Sequence, residues 1–86
     1  MFIVETSRGA LAGLPGGHWS GAKYSSTLAQ ARADLAEVFA DKLTEEDRGE
    51  NYEREWAALA ERAKNADVDD VLTFDEFAAR IIEDND

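Results

Sequence analysis

The sequence predicts a small α+β domain: an N-terminal strand or short hairpin followed by three packed α-helices. Three observations carry this. Residues 2–6 (Phe2, Ile3, Val4, Glu5, Thr6) are β-branched and aromatic, the composition of a strand. Five of the six glycines and the only proline fall between Gly9 and Gly21, which marks loop or hairpin. From Ser26 onward apolar residues recur at the i, i+3, i+4, i+7 spacing of one helix face.

Each element has its own signal. His18, Trp19 and Tyr24 supply a second short strand able to pair with the first. Ser26 or Thr27 caps a helix whose apolar stripe is Leu28, Ala31, Leu35, Val38 and Phe39. A second helix begins at Thr44, with Glu45, Glu46 and Asp47 in its first turn, where the helix dipole favours carboxylates. Its stripe is Tyr52, Trp56, Leu59, Ala60 and Ala63, and it fades near Asn65. A third helix starts at Thr73, with Glu76 completing a capping box and Leu72 and Phe77 a hydrophobic staple. It buries Phe74, Phe77, Ala78 and Ile81. The 86 residues form a single domain, 1–86, divided into a strand and glycine-rich element (1–25) and a helical part with an acidic surface (26–86).

Charge is strongly segregated. Residues 1–33 hold Arg8, Lys23 and Arg32 against Glu5, whereas the remainder holds eighteen acidic side chains against six basic ones, for a net charge of −10. Such a field serves solubility, steering or docking on a basic partner. It disfavours direct nucleic-acid contact and anionic membrane surfaces, because phosphates are held by Lys and Arg. No apolar run approaches the roughly 20 residues that span a bilayer, and the N-terminus lacks a signal-peptide pattern. The chain contains no cysteine, which removes disulfides and thiolate chemistry. Together these features predict a cytoplasmic protein.

Catalytic motifs are near misses. Gly16 to Lys23 imitates a phosphate-binding loop, but Ala22 separates the last glycine from the lysine. Ser20 to Lys23 matches S-x-x-K without its companion motifs. His18 is the only histidine and has no second ligand or nucleophile beside it in sequence. Carboxylate pairs at Asp34, Glu37 and Asp41 or at Glu46, Glu50 and Glu53 read as solvated helix faces. No enzyme and no cofactor is expected. Trp19 and Tyr24 read first as completing the core and second as interface anchors.

One segment, Asn65 to Phe77, resembles an EF-hand calcium loop with its exiting helix. Asn65, Asp67 and Asp69 take the first, third and fifth positions and Glu76 the twelfth. Asp70 stands where the loop needs glycine, and the capping box accounts for the same residues without metal. Calcium binding there is therefore an alternative reading, and no metal site is expected.

In general character (short, acidic, cysteine-free, α+β) the chain resembles phage-encoded inhibitors such as anti-CRISPR and anti-restriction proteins, some of which act as DNA mimics. That resemblance implies a non-enzymatic inhibitor in the host cytoplasm. Its partner would be a basic protein surface of a nucleic-acid-handling protein or complex, and the docking residues would be Glu45, Glu46, Asp47, Glu50, Glu53, Asp67, Asp69 and Asp70. A structural domain, monomeric or a homodimer through Trp19, Tyr24 or Tyr52, is the other alternative.

Overall fold

The computed structural model of the chain describes residues 1–45 and 49–85. The order of elements is β1 (Phe2–Arg8), β2 (Ser20–Ser25), α1 (Leu28–Glu45), α2 (Glu50–Ala63), β3 (Leu72–Phe74) and β4 (Phe77–Glu83). The strands form one antiparallel sheet in the order β2-β1-β4-β3, and the two helices cover one of its faces. The α+β class stands, but the third helix does not.

The N-terminal hairpin forms, but its second strand starts at Ser20, so of His18, Trp19 and Tyr24 only Tyr24 belongs to it and the other two sit on the preceding loop. Strand β1 pairs with β2, with a bulge between Val4 and Glu5, and on its other side with β4, where Val4 lies opposite Ile81 and Arg8 opposite Phe77. The alternation of a strand then sorts the residues. Val4, Phe77, Ala79 and Ile81 face the helices and are buried, whereas Ile3, Glu5, Ala78, Arg80 and Ile82 face the other side.

Helix α1 starts where the cap predicts, with the Gln30 amide donating to Thr27 Oγ1 at 3.1 Å. It runs on through Thr44, whose hydroxyl donates to the Asp41 carbonyl at 2.9 Å. Thr44 is therefore the last turn of α1 rather than the start of α2. The second helix begins at Glu50, after Gly49, which takes φ 97°, a conformation that suits glycine. Its stripe is as read: Trp56, Leu59 and Ala63 are buried, and Tyr52 and Ala60 pack at the margin.

Residues 72–83 overturn the helix expected from Thr73. They form a hairpin whose two turn residues, Asp75 and Glu76, have φ of 50° and 60°. Thr73 caps nothing; its hydroxyl donates to the Phe77 carbonyl at 2.9 Å. The reason is tertiary. A two-stranded sheet is marginal in water, and β4 gives β1 a second partner along its whole length.

The glycine-rich segment closes over the outer face of the sheet. Three successive turns, Ala12 to Gly9, Leu14 to Leu11 and Gly17 to Leu14, fold it at 2.9–3.0 Å, and the Gly9 amide donates to the Glu76 carbonyl. Gly13 sits at φ +76°, and a Cβ there would stand 3.1 Å from the Ala78 methyl. This close approach buries Ala12 and Ala78.

Turns with both central residues at positive φ favour Asn-Gly or Asp-Gly. Glu76 holds that conformation at a cost of about 1–2 kcal/mol. Glu76→Gly should therefore stabilise the domain by about 0.5–1 kcal/mol after the entropy cost of glycine. For a chain of this size that raises Tm by roughly 2–8 °C. Thermal melting followed by circular dichroism checks it, and a lowered Tm would contradict the turn assignment.

Candidate functional site

The charged surface is carried mainly by the helix layer. On α1, Asp34, Glu37, Asp41 and Glu45 recur at three- and four-residue spacing, which stacks them on one face. They form a ridge about 16 Å long at 1.5 Å rise per residue. This ridge runs along the side of α1 next to β2, where Lys23 Nζ lies 3.2 Å from Glu37 Oε2. Asp34 accepts from Gln30 Nε2 at 3.0 Å, and Glu45 Oε2 lies 3.7 Å from Lys42 Nζ. Glu50 and Glu53 follow, exposed in the first turn of α2.

The docking residues expected from the sequence do not form one patch. Glu45, Glu50 and Glu53 lie at the α1–α2 end of the helix layer, while Glu46 and Asp47 lie outside the described residues. Asp67, Asp69 and Asp70 occupy the α2–β3 loop, beyond the other end of α2. Fourteen helical residues, about 20 Å, separate the two groups. What joins them in character is the α1 ridge. Its i, i+3, i+7 spacing was visible in the sequence, where it read only as a solvated face.

The loop group is partly neutralised. Arg32 Nε donates to the Ala66 carbonyl at 2.8 Å, and its Nη2 lies 3.4 Å from Asp67 Oδ1. Asp70 Oδ2 accepts from the Asp67 amide at 3.0 Å, and the Asp69 amide donates to the Ile81 carbonyl at 2.7 Å. These bonds shape a turn against β4. The calcium-loop placement of Asn65, Asp67, Asp69 and Glu76 fails because Glu76 belongs to the β3–β4 turn and no exiting helix follows. Among the described residues no three His, Asp or Glu side chains are grouped to hold a metal ion.

Other motifs are also relocated. Ser20 to Lys23 lies on strand β2, so the residues of the S-x-x-K match do not share a helix face. Trp19 is half-buried with the Arg80 guanidinium 4.1 Å from its ring, and Arg80 is bonded to Glu5 at 2.8 and 2.9 Å. Tyr24 is exposed on the outer face, outside the core. Tyr52 packs edge-on against Phe74, inside the helix layer. A groove of about 460 Å³ between the helices is lined by Ala29, Arg32, Ala33, Ala36 and Lys64. Both of its cations are paired, Arg32 as above and Lys64 with Glu61 at 3.0 Å. Among the described residues no helix is long and apolar enough to cross a membrane.

The Arg32 contacts separate structural from surface electrostatics. Arg32→Ala removes the part-buried bond to Ala66 and should cost about 1–2 kcal/mol. Asp67→Asn removes an exposed pair worth less than about 0.5 kcal/mol. Urea denaturation of the two variants checks the ordering, and equal losses would contradict it. No family model, curated protein or solved structure matches the chain significantly.

Proposed function

We propose that the chain is a non-enzymatic acidic binding domain of the anti-CRISPR type. It docks its helix layer on a basic surface of a nucleic-acid-handling protein or complex and inhibits it by competing with nucleic acid. The observation that carries this reading is the carboxylate ridge Asp34, Glu37, Asp41 and Glu45, continued by Glu50 and Glu53. Its axial spacing of about 4.5–6 Å is of the order of the roughly 3.4 Å axial rise per phosphate along one strand of a duplex. Basic grooves built for phosphates offer Lys and Arg at a comparable pitch.

The pairing within the ridge is compatible with docking. Glu37 and Glu45 are held by Lys23 and Lys42 with 57 % of each carboxylate side chain still exposed. The exposed Lys23–Glu37 pair is worth about 0–1 kcal/mol, so exchanging that lysine for a partner's arginine costs little. The Glu45 carboxylate stays with buried Lys42 and docks through its exposed side. The long-range field of a −10 chain also speeds encounter with a cationic surface.

The test is a tagged pull-down from nuclease-treated lysate, washed at low and high salt and challenged with added DNA or RNA. The expected catch is a nucleic-acid-binding complex released by both salt and nucleic acid. Paired Glu37→Lys and Asp41→Lys changes should cut its recovery about tenfold, as loss of a charged contact set does, without altering the melting curve. Undiminished recovery would move the docking surface off α1.

A further inference from the structure

The two faces of this molecule differ in kind. Among the described residues five large apolar side chains stand exposed: Met1, Leu11, Leu14, Tyr24 and Val71, each between 39 and 62 % accessible. None belongs to a helix. Tyr24 lies opposite Ile3 on the outer face of the sheet, and strand alternation puts Met1 on that side as well. Leu11 and Leu14 flank Gly13 on the loop that covers the same face, and Val71 Cγ1 lies 3.3 Å from the position a Gly13 Cβ would take. Half-buried Ile3, Ile82 and Trp19 extend the patch. Isolated exposed apolar residues need no explanation, but a shared face does.

The sheet positions of this face carry no net charge, and acidic side chains border it at the Val71 edge, where Asp69 and Asp70 precede it. The only charged side chains at outward strand positions are Glu5 and Arg80, and they are bonded to each other. We infer that the outer face of the sheet is a homodimer interface, in which a second copy of this chain packs its own outer face against the first. The charge distribution selects that occupant. Two copies meeting face to face join neutral, apolar surfaces and turn their acidic helix layers away from one another. The glycine-rich loops lie between the two sheets, so the sheets stand farther apart than the about 10 Å of direct stacking. With a helix about 10 Å across on each side, the two helix layers stand at least about 30 Å apart, about three Debye lengths. Any contact through the helices would instead press two anionic surfaces together.

Size is adequate. The molecule measures 42 × 28 × 17 Å, and the shortest extent matches one helix layer on one sheet. The remaining two dimensions leave room for the roughly 800 Å² per partner of a standard interface. The Trp19–Arg80–Glu5 stack holds the middle of the face rigid, which lowers the entropy cost of association. The dimer would show two acidic layers on opposite sides, but its existence does not depend on what those layers bind.

Sedimentation velocity on the full chain, from about 1 to about 100 μM to bracket a micromolar constant, tests this directly. The expected mass rises from monomer to dimer, and added salt leaves the midpoint unchanged or lowers it. Leu14→Asp and Tyr24→Asp, at exposed positions that leave the melting curve intact, should each weaken association at least tenfold. Glu50→Lys on the helix layer should leave it within about twofold. A monomer at every concentration would overturn the inference and leave the face to a different partner. So would a dimer indifferent to Leu14 and Tyr24, or one lost on Glu50→Lys.

Discussion

Everything in this structure depends on one aromatic cluster between the helices and the sheet. Trp56 from α2 stands 6.2 Å from Phe39 of α1, 6.0 Å from Phe77 and 5.0 Å from Phe74 of the hairpin, and Phe39 meets Phe77 edge-on at 5.8 Å. Both helices and the β3–β4 hairpin are thus tied by four rings, of which Phe39 and Trp56 are essentially inaccessible. Such pairs contribute about 0.5–1.5 kcal/mol each beyond the area they bury. Lys42 is drawn into the same cluster, its amine 4.3 Å from the Phe77 ring centroid and 3.7 Å from Glu45. A buried cation is tolerable there because ring faces and a carboxylate replace its water. The Trp56 indole nitrogen, by contrast, is buried with no hydrogen-bond partner among the described residues. Packing has outweighed that loss.

The cluster explains which parts of the fold were legible in the sequence. Stripes on α1 and α2 were readable because those helices are amphipathic over several turns, and a helix buries one side whatever it packs against. The last element was not. Phe74, Phe77, Ala78 and Ile81 satisfy a helical period, and Thr73 to Glu76 imitates a helix start. The same residues satisfy a strand period once the chain reverses at Asp75 and Glu76, since Leu72, Phe74, Phe77, Ala79 and Ile81 all point to the core. A glycine at the turn would have announced the reversal; two acidic residues at positive φ concealed it. What decides the matter is long-range pairing with β1, which no local window contains.

Site residues were legible in proportion to how local their cause was. The acidity of the second half is plain from composition, yet its division into two groups follows from α2 itself, whose fourteen residues hold them about 20 Å apart. The apolar outer face was harder still. Val71 is far in sequence from Leu11 and Leu14, and all three sit in segments without periodicity, so nothing short of the folded loop brings them together.

A chain with a net charge of −10 that keeps an apolar face exposed has to reconcile two opposed tendencies. Uniformly spread, that charge would repel every copy of the molecule and resist compaction. Concentrated on helix faces and turns, where dissolved salt screens it beyond about 10 Å, it leaves the opposite side of the sheet electrically quiet. The glycine-rich loop makes that side possible. By covering Ser7, Ala12 and Ala78 it protects the sheet backbone on one half, and it lifts Leu11 and Leu14 into solvent. Its own fixture is a hydrogen bond from Gly9 to the strained β3–β4 turn. The β3–β4 hairpin, whose residues also fit a helical period, is therefore the one that anchors the apolar face, and the two acidic residues at its turn keep the hairpin tip from adding to it.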